Sequence, residues 1–387
     1  MKQNRKTWLD ILRILSSVLV VGVHVSAFSI DALAIGSLDF LIANAFDCLS
    51  ILGVPLFVMI SGALELDREN SSEGSAGEIK RSLKRAGHMM LLYFFWLMCY
   101  NLLNCLREGY GFSFASIRKH VILESLLGRG IYHLWFLPML AGLSLAAPFL
   151  KSFAGDRKLT RYFLGLYSLF TILLPTILKF QYRFPYYSVV EGLYSRIPYV
   201  VFTGYTGYFV LGHFLENCDS DTEDFSSYVN RIGVPALLLL FFVFFNTGHL
   251  VCFYDSIRWG QLSTILNDPF SVTDFVSAGC IFLLVKRCCG ACSGKEAAAD
   301  RGSGRAEMAA ASVDDRGSSR FLTALSGATL GVYILHPAVL MLASHLGLNT
   351  LFAPQLISIP ICIIAVYLVS LGLTLILKKV PGIRGLL

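Results

Sequence analysis

The sequence predicts an all-α fold: a polytopic transmembrane helical bundle of about ten spans with both termini cytoplasmic. Three observations carry this. The chain has 387 residues, of which 55% are hydrophobic and only 15% charged, against about 25% charged in an ordinary soluble protein. Its mean hydropathy is +0.63, and apolar runs of membrane-crossing length recur from end to end. The loops between these runs alternate in charge, one set holding 23 Lys and Arg and the other 8. That bias places the richer set in the cytoplasm, and an odd number of spans would break the alternation. The net charge of +6 does not point to nucleic acid, because the basic residues sit in short loops between spans.

The spans are expected near residues 9–29, 41–63, 88–106, 133–151, 161–180, 197–215, 232–250, 270–286, 324–345 and 355–377. The first, LDILRILSSVLVVGVHVSAF, lacks a small-residue cleavage site and reads as a retained helix, not a signal peptide. The second, third and fourth are long apolar runs, with the polar segment 67–79 between the second and third. The seventh and eighth are the weakest. VTDFVSAGCIFLLVK is short and contains Asp274, which suits a tilted or partly re-entrant segment. The tract 287–320, rich in Ala, Gly, Ser and charge, reads as a flexible cytoplasmic linker within a single domain of residues 1–387. The ten cysteines are scattered, most of them in apolar runs where thiols behave as small hydrophobes. Cys289 and Cys292 have a C-x-x-C spacing, but no histidine lies near, so no metal is expected. No internal repeat is visible.

The first span holds three ionisable residues. At ~100° per residue, the eleven-residue step from Arg13 to His24 is three turns plus ~20°, so both project from one stripe. Asp10 lies three residues before Arg13 on a neighbouring part of that face. Ionisable groups in a span face a bundle interior or a wet cavity. For Asp10 and Arg13 the alternative is an ion pair snorkelling to the inner surface. For His24, too deep to snorkel inward, it is a packed interhelical hydrogen bonder.

Asp-x-x-Arg followed by His resembles the first-helix motif of the acyltransferase-3 family of integral-membrane O-acyltransferases. VPLFVMISGALE (54–65) looks like the family's second-helix ending, and IKRSLKRAG (79–87) like the basic cluster before its third helix. YHLWFLPMLAGLSLAAPFL (132–150) resembles its His-x-Trp-Phe-Leu segment, and SGATLGVYILHP (326–337) its Gly-x-Tyr-x-x-His. The five blocks occur in family order over essentially the whole chain. Two features depart from the pattern: the tract 287–320 is long, and GALEL stands where Gly-Phe is usual.

The resemblance implies a multi-pass cell-membrane enzyme moving an acyl group, most commonly acetyl, from acyl-CoA to a hydroxyl of a glycan or other extracytoplasmic acceptor. A donor carrying several phosphates and made in the cytoplasm needs a basic, inward-opening site. Arg13, Arg81, Lys84 and Arg85 fall on the inner side, and Arg suits phosphate oxygens; positive-inside topology explains the same residues without a ligand. Ser61 and Gly62 reach the inner end of the second span, where a glycine permits close approach. His24 is the expected general base, Asp10 orients Arg13, and His336, one turn after Tyr333, either assists His24 or hydrogen-bonds across the bundle. His133 and Trp135 open the fourth span at the outer surface as sugar contacts or interfacial anchors. Glu191 and Arg196, in the outer loop before the sixth span, are acceptor candidates, whereas His213 and Glu216 read as a solvated face. A secondary transporter or glycan exporter is the competing class, and would carry inverted repeats and broken helices. A structural or sensory partner would not need the Arg13–His24 stripe.

Overall fold

The computed structural model describes residues 6–67, 74–111, 113–180, 186–196, 203–218, 229, 231–299 and 308–387, and among these residues there is no strand. The main helices are α1 (Thr7–Ile30), α2 (Leu38–Ser50), α3 (Gly53–Glu65) and α4 (Ser75–Arg107). They continue as α5 (Tyr132–Ala154, opening with a 3-10 turn) and α6 (Arg157–Leu178, with a π-helical turn inside it). Then come α7 (Tyr187–Tyr194), α8 (Thr206–Glu216), α9 (Val234–Trp259), α10 (Val272–Ala299), α11 (Met308–His345) and α12 (Gln355–Leu377).

Among the described residues, eight helical segments are long and apolar enough to cross a bilayer: α1, α2 with α3, α4, α5, α6, α9, the 321–345 part of α11, and α12. The chain is therefore a polytopic helical membrane protein. The two other expected spans are also helical, but differ in kind. Helix α8 has 11 residues, short of the roughly 20 a single crossing needs; positions 197–202 of that expected span lie outside the described residues. Helix α10 carries Asp274, Lys286 and Arg287. Asp274 belongs to its first turn, where its carboxylate accepts the Asp268 amide at 3.1 Å and Ser271 Oγ caps the helix by accepting the Asp274 amide at 3.1 Å. A helix start, not a mid-span position, explains this buried carboxyl group. Helix α9 runs nine residues beyond its expected end at 250. It exposes Leu238, Leu239, Phe242 and Val243, and α12 likewise exposes Leu356, Ile361, Ile364 and Leu368, the faces that lipid covers. The tract expected as a linker, 287–320, is helical at both flanks, through Ala299 and from Met308; positions 300–307 lie outside the described residues.

The helices form two compact units, one comprising the chain up to Ala63 with Lys158–Gly385, the other Leu64–Arg157. In the first, α1 is the central helix, packed by α2, α10, α11 and α12. Val21, Val25 and Ile30 of α1 bury against Phe40, Val332, Ile359 and Ile363. Apolar packing alone gives little registry between membrane helices, since lipid is equally apolar; interhelical hydrogen bonds supply it, at about 0.6–2 kcal/mol each. Ser17 shares a hydrogen bond with Tyr367 of α12 at 3.1 Å, and Ser29 one with Thr350, just before α12, at 2.6 Å. Helices α3 and α8 cross where two glycines meet backbone. A Cβ on Gly62 would stand 1.7 Å from the Phe209 carbonyl oxygen, and one on Gly212 2.0 Å from that of Met59. The second unit pairs α4 with α5, joined by a Lys151–Glu78 ion pair at 3.1 Å.

Candidate active site

Helix α1 meets α11 along the stripe that carries the ionisable residues. His24 and His336 stack, with ring centroids 5.1 Å apart and planes 20° from parallel. Tyr333 lies one turn back on α11, its ring 6.2 Å from that of His336. The two imidazoles differ in exposure: His336 is fully buried, whereas His24 is half-buried. His336 Nδ1 lies 3.1 Å from the carbonyl of Val332 in its own helix. A carbonyl only accepts, so Nδ1 carries a proton directed at it. Stacked rings present π faces to one another and keep their nitrogens at the rim, which does not suit a direct ring-to-ring proton relay. The accessible ring, His24, is the one suited to meet a substrate, and His336 backs it.

About 21 Å down α1, Asp10 is buried and lies 3.5 Å from the guanidinium of Arg13. Ser326 of α11 supports it too, its Oγ donating to Asp10 Oδ1 at 2.7 Å. Asp10 thus pairs with Arg13 and also ties α1 to the helix that carries His336. The rest of the predicted set is dispersed. Ser61 donates to the Phe57 carbonyl at 2.9 Å within α3, and Gly62 lies at the α3–α8 crossing against the Phe209 backbone. Tyr187 donates to Glu191 at 3.0 Å on α7, and Glu191 and Arg196 are both exposed. Glu216 departs from its expected solvated face: its side chain is only 7% exposed and pairs with Lys6 and Lys286. Lys286 also caps α8 by donating to the Leu215 carbonyl at 2.9 Å, so these charges close a helix end. His213, expected beside it on that face, is buried.

In the second unit, Arg81, Lys84 and Arg85 lie on the first turns of α4. Arg85 pairs with Glu65 at 3.2 Å, and Ser144 of α5 donates to the same carboxylate at 3.2 Å. A cavity of about 630 Å³ opens nearby, with Glu78, Ser82, Leu83, Phe149 and Lys151 among its lining, and does not include the three cations. Its own cation, Lys151, is neutralised by Glu78. His133 is buried, edge-on to Tyr100 at 5.4 Å, while Trp135 is 46% exposed. Of the two, Trp135 is the one presented outward. Among the described residues no three His, Cys, Asp or Glu gather as a metal site.

The sequence matches the acyltransferase-3 family model, described as an acyltransferase domain, over residues 6–376. The chain belongs to the acyltransferase-3 family. With eight apolar helices among its described residues, it is a membrane acyltransferase. Comparison with curated proteins and with solved structures gives no match.

Three residues of this acyltransferase went unrecognised from sequence. Ser326, the first residue of SGATLGVYILHP, holds Asp10. Glu65, the acidic residue that breaks the family pattern in GALEL, is the partner of Arg85, so that departure was itself the signal. Asp47, a carboxylate inside the second span, accepts from Ser26 at 2.7 Å and from Asn267 at 2.6 Å. The expense of a carboxylate at such a position was the signal.

Proposed function

We propose that this membrane acyltransferase moves an acetyl group from cytoplasmic acetyl-CoA to a hydroxyl of an extracytoplasmic or lipid-linked glycan, with both termini in the cytoplasm. The observation that carries the reading is the His24–His336 stack on the stripe that also holds Arg13. His24 takes the acceptor hydroxyl proton as the oxygen attacks the thioester carbonyl. The carbon–sulfur bond breaks, and the departing CoA sulfur receives the proton from the imidazolium, which resets the base. Arg13, lower on the same helix, holds donor phosphate, and Asp10 fixes its guanidinium. Arg81, Lys84 and Arg85 supply further positive charge on the side expected to be cytoplasmic.

The direct test gives membranes containing the chain acetyl-CoA labelled in its acetyl group. Label in a glycan fraction supports the reading, and its absence beside labelled free acetate would exclude a glycan acceptor. Uptake of a labelled glycan without any covalent acetyl would turn the assignment to export.

The donor assignment has its own expected result. Arg13→Ala, and the double change of Arg81 and Arg85 to Ala, raise the apparent KM for acetyl-CoA about tenfold or more, the scale of one charge-assisted contact. Protein levels remain unchanged. A wild-type KM in both variants would leave these residues as topology determinants only.

A further inference from the structure

The first unit contains a pocket of about 260 Å³ that the reaction above does not use. Lys179, Phe180, Asp255, Arg258, Trp259 and Gln261 line it, at the C-terminal ends of α6 and α9. Its place relative to the histidines follows from two contacts. The loop leaving α1 packs on the end of α9, since a Cβ on Gly36 would stand 3.4 Å from Ile257. The pocket is therefore at the end of the unit where α1 finishes, six residues beyond His24, or ~9 Å of helix. The loop 261–271 also ties the pocket to that helix. Its Asn267 donates to Asp47, which holds Ser26 of α1, and its Asp268 pairs with Lys179 in the pocket wall at 2.5 Å.

The chemistry of the lining is specific. The volume is below the 300–1,000 Å³ of drug-sized sites and suits a single sugar ring. Trp259 is 51% exposed, offering a flat apolar face, with the Arg258 guanidinium 5.5 Å from the ring centroid. Asp255 is engaged twice, accepting from Trp259 Nε1 at 3.2 Å and from Ser263 Oγ at 2.7 Å, and Lys179 is engaged by Asp268. Among the described residues no carboxylate pairs with Arg258, and the Gln261 amide has no hydrogen-bond partner. An exposed Trp and Arg at a helix end also describe an interfacial anchor. Anchoring does not require a pocket, a pinned Asp–Trp pair or a neighbouring amide.

We infer that this pocket binds one acidic sugar unit of the acceptor. Arg258 pairs with its carboxylate or phosphate, Trp259 packs on the ring, and Gln261 meets a hydroxyl, so that a neighbouring unit presents its hydroxyl to His24. The inference rests on the glycan-acceptor reading and deepens it. Arg is the cation suited to a planar oxyanion.

The test uses the full chain in phosphatidylcholine nanodiscs and calorimetric titration of two probes. One is a tetrasaccharide of alternating glucuronate and N-acetylglucosamine, the other its carboxyl-reduced form. The charged probe is expected to bind about tenfold or more tightly than the reduced one. Arg258→Gln is expected to erase that preference while leaving affinity for the reduced probe unchanged, a pattern that misfolding cannot produce. Equal affinities in the wild type, no binding of either probe, or a preference that survives Arg258→Gln would overturn the inference. Suppression of the charged probe by phosphatidylglycerol in the nanodisc would reassign the oxyanion to a lipid headgroup. Labelled acetyl transfer separates this inference from the function it rests on. Glycan labelling at wild-type rate by Arg258→Gln removes the subsite and keeps the activity. An Arg258-dependent preference without any glycan labelling keeps the site and removes the acylation reading.

Discussion

His24→Gln abolishes acyl transfer while leaving an inserted, helical protein at wild-type abundance. Glutamine keeps some hydrogen bonding and most of the volume of histidine, but cannot take up and return a proton. Loss of a general base costs about 10²–10⁴-fold in rate, so labelled acetyl transfer, matched for protein level, falls by that range. His336 distinguishes chemistry from support. His336→Phe retains a ring to pack on His24, now 5.1 Å from its neighbour, and removes both nitrogens. If His336 only positions the His24 ring, kcat falls by less than about tenfold, one step of 1.4 kcal/mol, and KM for acetyl-CoA is unchanged. A His24→Gln enzyme keeping more than about half its activity, far outside the range for base loss, would make His24 a packing residue. A collapse of kcat in His336→Phe would move the chemistry to α11.

The second large effect is on folding. Gly62→Ala and Gly212→Ala each force a methyl group into the backbone of the opposite helix, 1.7 Å from the Phe209 carbonyl oxygen and 2.0 Å from that of Met59. Backbone cannot rotate away as a side chain can, so the α3–α8 crossing must open. Ordinary overpacking costs about 1–3 kcal/mol, and this contact is expected at or above the top of that range. Detergent-extracted protein should show a lower Tm and a reduced monodisperse yield. Gly279→Ala and Gly372→Ala, where an added Cβ meets nothing within 4 Å, serve as controls on α10 and α12. Wild-type melting of Gly62→Ala would show that the crossing adjusts freely.

Local periodicity accounts for what was legible. Each span announced itself as an apolar run, and a 100° step sufficed to put Asp10, Arg13 and His24 on one face. The five motif blocks were sufficient for the family, which the match over residues 6–376 shows. Span ends were less legible where a helix begins in a polar loop. Asp274 looked like a charge inside a span because its loop partners, Asp268 and Ser271, could not be seen as a cap until the loop was folded back. Glu216 looked solvated because its cations come from distant segments, Lys6 and Lys286.

By itself, then, the sequence determined a helical membrane acyltransferase, the position of its apolar segments and the stripe on its first helix, because these depend on composition and helical pitch alone. Only the tertiary structure decided which helix faces that stripe. Ser326 meets Asp10 from 316 positions away, and His336 stacks on His24. It likewise decided that Gly62 serves a helix crossing and that the pocket around Arg258 stands at the end of the unit where α1 finishes. The reason is physical. Apolar helix faces are nearly interchangeable in lipid, so their periodicity says which side is buried but not against what. Partner choice comes from sparse polar contacts and close backbone approaches, and these exist only once the helices have packed.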